Sequence, residues 1–327
     1  MSEAALAAPP GLAAPPRGGH AVFWGGAALL AVALIAALRL LHNDYAWFAG
    51  YFILQYVVLA SAWNLLGGYA GYVNFGAAGF MAAGAYTTIV LRKALGLDLL
   101  PCIAAAACVS GLLGLGMGWL TLRLRGVYFA IATLSLAVVL HTIIVNWDYV
   151  GGSRGAYVVP SRDTAPFVTH GEYVFVVMLV LAVLAVGIAR MVEKSRLGLG
   201  LAAIRDDERA AEAAGVPTLR LKLIATTLSG ALMGVAGAPL PHYSAYLNPE
   251  AAFSLAYGVN AIAMPLIGGA GTWAGPVIGA LLLGTLQQAA TVMISSALNL
   301  LVVGCVLVAF VALAPHGIIG LFRGARR

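Results

Sequence analysis

A cluster of charged residues stands out in an otherwise apolar chain, and its spacing is typical of a short helix. Only 9% of the 327 residues are charged, yet six charges fall within eight positions. They are Arg205, Asp206, Asp207, Glu208, Arg209 and Glu212. Aspartates favour the start of a helix, and the run Gly215-Val216-Pro217 favours its end. We therefore predict a helix of about two turns here.

This predicted helix combines charges with small side chains. Glu208 and Glu212 are four residues apart, as are Arg205 and Arg209, which predicts one exposed charged face. Most of the remaining positions are alanine, including Ala213 and Ala214. Two interpretations stay open. The helix either docks in a groove of another protein, with charges at the rim setting its orientation, or is a solvated loop helix that holds two membrane spans apart.

The chain lacks the residue sets that common enzyme mechanisms require. It contains no G-x-x-x-x-G-K-[ST], H-E-x-x-H or G-x-S-x-G motif, and no lysine follows a glycine. Acids are too sparse in the apolar segments for paired-carboxylate catalysis. The three cysteines lie in apolar runs without metal-ligand spacing, which indicates packing. We therefore predict that the chain is not an enzyme, holds no metal and has no ATP-binding loop of its own.

The composition of the chain around the charged cluster predicts a helical membrane protein. Hydrophobic residues make up 62% of the chain, and the mean hydropathy is +0.95. The apolar runs are continuous rather than alternating, which favours helices over a β-barrel. We predict an all-α, polytopic fold with about ten transmembrane helices, eight to ten being possible. The predicted spans are residues 21–41, 45–66, 75–91, 100–122, 126–146, 173–190, 222–239, 253–270, 275–294 and 298–315.

The distribution of Lys and Arg predicts the orientation and the domain organisation. With ten spans and a cytoplasmic N-terminus, 13 of these 18 residues lie inside and 5 outside. Both termini and the loop 191–221 are then cytoplasmic, and the net charge of +6 reflects topology rather than nucleic-acid binding. Residues 1–20 are predicted to be a disordered tail, residues 21–318 the membrane domain, and residues 319–327 a basic tail.

Two glycine-rich segments offer a second kind of site. Small-residue pairs such as Gly230 and Gly234 fit close helix packing. Gly-Gly and Pro breaks also fit discontinuous helices beside a polar passage, and we favour that interpretation for 67–76 and 265–276. The predicted translocation-path candidates are Gly67, Gly68, Asn74, Asn260, Gly268 and Gly269. Each polar candidate is alternatively satisfied by a neighbouring helix. Arg154, in a glycine-rich outer loop, is a candidate for contact with an anionic group or a partner.

Three segments together resemble a known family of permeases. They are NLLGGYAGYVNFGAAGFMAAGAYTTIVL (64–91), SRLGLGLAAIRDDERAAEAAGVPTLRLKLIATTLSGALMGVAGA (195–238) and YLNPEAAFSLAYGVNAIAMPLIGGAGTWAGPVIGALLLGTL (246–286). They are similar to the LivM-type permeases of branched-chain amino-acid ABC importers. The resemblance implies that about Arg205 to Gly215 is the coupling helix that docks on an ATPase subunit. It also implies a location in the bacterial inner membrane.

The resemblance further implies the partners and the function. The partners are a LivH-type permease, LivG/LivF-type ATPases that bind the ATP, and a periplasmic solute-binding protein. The implied function is uptake of branched-chain or related amino acids. The segment Tyr72–Ala77 departs from the more polar run, including a histidine, that the family often has, so the solute preference is open. The alternative is an ion-coupled secondary carrier or passive channel, which is expected to hold ionisable groups in mid-membrane.

Overall fold

The computed structural model describes residues 18–41, 43–121, 124, 126–158, 167, 169–293, 304–305, 308 and 317–324. Over these residues the chain is mainly helical, with one pair of two-residue strands. The chain divides into two compact units, Met1–His42 and Asn43–Arg327. The first unit contains helix α1 (Gly18–Leu41), which is apolar along its length. Residues 1–17 of the predicted tail 1–20, most of the span 298–315 and the last three residues lie outside the described part, whereas residues 18–20 begin α1.

The second unit contains the remaining elements. Its helices are α2 (Asp44–Ala70), α3 (Ala77–Leu95), α4 (Leu99–Thr121), α5 (Val127–Val145), α6 (His170–Glu193), α7 (Arg196–Asp206), α8 (Glu208–Ala213), α9 (Thr218–Gly237), α10 (Leu240–Ser244), α11 (Pro249–Ala252), α12 (Leu255–Gly268), α13 (Ala274–Met293) and α14 (Gly317–Gly324). Strand β1 (Ala156–Tyr157) pairs antiparallel with β2 (Tyr246–Leu247).

Polar side chains and glycines set the helix boundaries. The Asn43 side chain accepts a hydrogen bond from the amide of Tyr45 at 2.9 Å and begins α2. Gly71 ends α2 in the left-handed conformation, with φ 76°. Ser195 begins α7 in the same way as Asn43 begins α2. Short segments with polar capping residues or glycine thus separate the long apolar helices.

The membrane-protein prediction is confirmed. Among the described residues, eight helical segments are long and apolar enough to cross a membrane. They match eight of the ten predicted spans. The predicted span 75–91 corresponds to α3, which is less apolar than the eight because it combines small residues with Arg92 and Lys93. The predicted span 253–270 corresponds to α12, and the short helix α11 precedes it, separated from it by Phe253 and Ser254.

Close contacts between backbones build the core. Helix α9 packs against α4, α3 and α2. A Cβ atom on Gly230 would lie 2.8 Å from the Ser110 carbonyl oxygen, and one on Gly234 would lie 2.7 Å from the Ala106 carbonyl oxygen. Small residues allow this close approach of the two backbones. The resulting van der Waals packing stabilises the helix contact, because the hydrophobic effect does not drive helices together within lipid. The predicted close packing at Gly230 and Gly234 is confirmed.

The described connections between the helices of the second unit gather at two ends. The charged-loop end contains residues 194–217 and 269–273 and the start of α14. There Arg205 donates to the Gly68 carbonyl oxygen at 3.3 Å. The β-pair end contains residues 146–158 and 245–254, and there the Lys93 ammonium donates to the Tyr149 carbonyl oxygen at 2.7 Å. Helices α6 and α9 run between the two ends.

Candidate functional site

The charged cluster is divided between the end of α7, which holds Arg205 and Asp206, and a separate capped helix of about one and a half turns. The Asp207 carboxylate accepts hydrogen bonds from the amides of Arg209 at 2.9 Å and Ala210 at 3.1 Å. These bonds satisfy two of the amides that a helix leaves free at its start. Helix α8 spans Glu208–Ala213, and Gly215 follows with φ 84°. The predicted start and stop of this helix are therefore confirmed.

Most of α8 and the turn after it face outward with small side chains. We define the α8 small face as the four exposed residues Ala210, Ala213, Ala214 and Gly215. Arg209 and Glu212 are also exposed and lie beside this face, whereas Ala211 is buried and fixes the helix to the body. A surface with so little side chain permits close approach of another protein, and its flanking charges can set the orientation.

The prediction of one shared exposed charged face is wrong for Glu208. The Asp207 backbone is extended, with φ −158° and ψ 109°, so α7 ends there and α8 starts in a new direction. Residues on the two sides of Asp207, such as Arg205 and Arg209, therefore do not share a helix face. The Glu208 side chain is only 13% exposed and turns inward. Arg205 lies over the end of α2, where it bonds Gly68.

A buried ion pair holds Glu208. The Lys222 ammonium, 3% exposed, donates to Glu208 Oε1 at 2.5 Å. The Tyr72 hydroxyl donates to Glu208 Oε2 at 2.6 Å and accepts from Lys222 at 3.1 Å. We call these three residues the Tyr72–Glu208–Lys222 triad. Sequence reasoning did not identify Lys222 as a site residue, although a lysine opening an apolar span after an acidic cluster was an available signal.

The loop 71–76 runs from this triad into the membrane domain. The Trp63 indole donates to the Asn74 carbonyl oxygen at 2.8 Å. Trp63 lies two turns before the end of α2, which is about 10 Å along the helix. The Phe75 amide donates to Thr133 Oγ1 at 3.0 Å, on α5. The loop therefore leads away from the charged-loop end into the membrane domain. Helix α3 begins at a distance from that end rather than beside it.

The loop 269–273 is fixed at the same end by two polar side chains. Asn64, on α2, accepts from the Gly271 amide at 3.0 Å and donates to the Thr272 carbonyl oxygen at 2.9 Å. Glu193, at the end of α6, accepts from the Trp273 amide at 2.5 Å. Both residues are hydrogen-bonded to backbone, which holds the break between α12 and α13 in one position.

Comparison with known proteins identifies the family. Residues 47–311 match the family described as branched-chain amino acid transport system / permease component. The chain belongs to this family. The permease is therefore a multi-pass membrane component of a transport system and not an enzyme.

Individual relatives support the same family. The permease is 30% identical to the high-affinity branched-chain amino acid transport system permease protein LivM of Salmonella typhimurium, over 70% of this chain and 59% of the relative. It is 29% identical to LivM of Escherichia coli, with the same coverage. It is 26% identical to the probable LivH of Methanocaldococcus jannaschii, over 76% of this chain and 83% of that protein. The permease thus spans about three-fifths of the length of the two LivM relatives. No solved structure matches it.

The four candidate glycines of the permease lie at tight contacts. A Cβ on Gly67 would meet the Trp63 ring at 2.4 Å, and one on Gly68 would meet Asn64 Oδ1 at 1.8 Å. A Cβ on Gly268 would lie 1.8 Å from the Gly275 carbonyl oxygen. Gly269 has φ 124° and lies against Ile319. Each glycine is required for packing or backbone conformation. Their membership of a translocation path remains a prediction.

The two candidate asparagines of the permease are buried and bonded to neighbours. Asn260 donates to the Tyr56 hydroxyl at 3.2 Å and accepts from Gln287 at 2.8 Å. Asn74 accepts from the Gly76 amide at 2.7 Å. These bonds fit the interpretation that neighbouring segments satisfy the polar groups. The place of both side chains on a translocation path stays a prediction.

The β-pair end presents Arg154 and a nearby cavity. Arg154 is exposed, and its carbonyl oxygen accepts from the Tyr246 hydroxyl at 2.7 Å. A cavity of about 260 Å³ lies between α3, α5, α11 and α12, with Phe75, His141 and Glu250 in its lining. Its wall is otherwise apolar. Phe75 is thus shared between this cavity and the loop 71–76.

Proposed function

We propose that the permease is the membrane subunit of an ABC importer that takes up branched-chain or related amino acids. Its relatives carry the name of that transport system. Separate LivG/LivF-type subunits would bind and hydrolyse the ATP. A LivH-type permease would complete the pathway, and a periplasmic solute-binding protein would deliver the solute.

The α8 small face is the observation that carries this proposal. A transport subunit powered by another protein needs a surface through which force is received. Helix α8 offers exposed alanines and glycine flanked by Arg209 and Glu212, and its buried Ala211 anchors it. A groove on an ATPase can enclose such a helix closely. The proposed ATPase-coupling residues are Arg205, Asp206, Asp207, Glu208, Arg209, Glu212, Ala213, Ala214 and Gly215.

The charge distribution supports a cytoplasmic location for this end. Ten Lys and Arg residues lie between Asn43 and Met293 in the described part of the chain. Seven of them lie in the charged-loop end or within five residues of it along the chain, namely Arg190, Lys194, Arg196, Arg205, Arg209, Arg220 and Lys222. Basic residues in short loops favour the cytoplasmic side. We therefore propose an inner-membrane protein with the charged-loop end and both termini in the cytoplasm.

Photo-crosslinking tests where the ATPase docks. A photoreactive benzoyl-phenylalanine in place of Arg209 should crosslink to an ATPase subunit when the assembled complex is illuminated, because this position lies beside the α8 small face. The matched control replaces Tyr157, which is 80% exposed at the β-pair end, and should give no ATPase adduct. Adducts would be identified by mass spectrometry. An ATPase adduct at position 157, or none at position 209 in an intact complex, would contradict the proposal.

A further inference from the structure

The triad joins α8 to the membrane interior through one short loop. Tyr72 is the second residue of the loop 71–76, and Phe75 is its fifth. Glu208 is the first residue of α8, and it reaches Tyr72 at 2.6 Å. Ala211 is buried against the body, Glu212 bonds Thr218 at 2.7 Å, and Arg205 of α7 lies against Gly71. Glu208 links α8 itself to the loop through its hydrogen bond with Tyr72.

Burial makes the connection stiff. Lys222 is almost fully buried, and Glu208 is largely so. Charge-assisted hydrogen bonds are stronger and shorter than neutral ones, and low local dielectric strengthens them further. Separating a buried pair is costly because it leaves a charge without compensation. Displacement of α8 is therefore expected to carry Tyr72 with it rather than to break the triad.

The far end of the loop lines the cavity between α3, α5, α11 and α12. Three residues lie between Tyr72 and Gly76, after which α3 begins at Ala77. Phe75 lines the cavity beside α5 and α12, and its amide bonds Thr133 on α5. Tyr72 also packs edge-on against Phe129, one turn earlier on α5, with ring centroids 5.1 Å apart. Movement of Tyr72 is therefore expected to displace both the cavity wall at Phe75 and helix α5.

We propose that the Tyr72–Glu208–Lys222 triad transmits movement of α8 to the loop 71–76 and so to the cavity wall at Phe75. Tyr72 and Lys222 are positioning residues in this scheme. Lys222 holds the Glu208 carboxylate in place. Tyr72 transmits the displacement of Glu208 to the loop. The inference rests on the proposed function, because it requires that an ATPase moves α8. Differential contacts in two states are what allow one site to bias another.

The test measures how much solute is transported per ATP hydrolysed. The complete complex is reconstituted in liposomes with its binding protein, and uptake of labelled L-leucine is measured with ATP turnover. Tyr72→Phe removes the hydroxyl and keeps the ring. We expect ATP turnover within twofold of wild type and a fall of about tenfold in leucine per ATP, a size typical of coupling between sites. The control is Tyr86→Phe, whose buried hydroxyl has no hydrogen-bond partner among the described residues and should not change the ratio.

A charge exchange separates transmission from simple support of the fold. Glu208→Gln should lower the ratio as Tyr72→Phe does. The double exchange Glu208→Lys with Lys222→Glu should restore part of it, because the pair is rebuilt with reversed polarity. A merely structural role predicts less assembled complex, with uptake and ATP turnover falling together. An unchanged ratio in Tyr72→Phe and Glu208→Gln, or a parallel fall in both quantities, would overturn the inference.

Uptake by the wild-type complex distinguishes failure of the transmission role from failure of the proposed importer function. ATP-driven leucine uptake by wild type with unaffected triad variants would remove only the transmission role. Absence of ATP-driven uptake in wild type would remove the proposed function itself.

Discussion

Replacing Ala213 with tryptophan is expected to reduce ATP-driven uptake at least tenfold while leaving the permease folded. Ala213 is exposed on the α8 small face, so a large side chain there disturbs no internal packing. It would instead hold an ATPase away from the helix, and well-packed interface centres carry most of the binding free energy. A tenfold loss corresponds to about 1.4 kcal/mol, which loss of one such contact readily supplies.

The measurement is uptake of L-leucine together with the amount of ATPase that co-purifies with the permease. Arg209→Glu should act in the same direction but less strongly, since exposed charge pairs are worth about 0–1 kcal/mol. The matched control is Ala94→Trp, at an exposed position in the last turn of α3 near the β-pair end. Full uptake and normal ATPase recovery with Ala213→Trp would contradict docking at this face.

Replacing Gly268 with alanine is expected to prevent assembly rather than to block a finished pathway. The new Cβ would lie 1.8 Å from the Gly275 carbonyl oxygen and 2.9 Å from the Gly279 amide nitrogen. These atoms are backbone, so α12 and α13 would have to separate. Overpacking typically costs about 1–3 kcal/mol, and the tightness of this contact places the cost at the upper end or above.

Size-exclusion chromatography and the thermal unfolding midpoint of the purified complex provide the measurement. Gly116→Ala is the matched control, because Gly116 lies within α4 and an added Cβ would have no described atom within 4 Å apart from the backbone of its own helix. Alanine is the better helix former, so that variant should be as stable as wild type or slightly more so. A Gly268→Ala complex of normal yield and stability would show that α12 and α13 are not packed as described.

Local signals predicted a large part of this architecture. Continuous apolar runs gave the helices because each span satisfies its own backbone hydrogen bonds. Asp207 and Gly215 marked the ends of α8 because capping and left-handed backbone depend on residue type. The short helix Glu208–Ala213 was therefore predicted, whereas Arg205 and Asp206 belong to the end of α7. These features depend on neighbours within a few residues along the chain.

Features that depend on distant contacts were not predicted. Glu208 turns inward because Lys222 and Tyr72 meet it, and Tyr72 lies 136 residues earlier. The four-residue spacing of Arg205 and Arg209 was misleading because the extended Asp207 separates two helices. Likewise, Asn64 fixes a loop more than 200 residues away. Pattern and spacing carry no information about such partners.

Reconstitution tests the central claim, that the permease draws its power from a separate nucleotide-hydrolysing protein. Labelled L-leucine uptake would be followed in liposomes that contain the permease and its partner permease, with and without the ATPase subunits. The account predicts accumulation against a gradient only when the ATPases, ATP and the binding protein are all present. Accumulation by the two permeases alone, driven by a proton or sodium gradient, would contradict it and indicate an ion-coupled carrier.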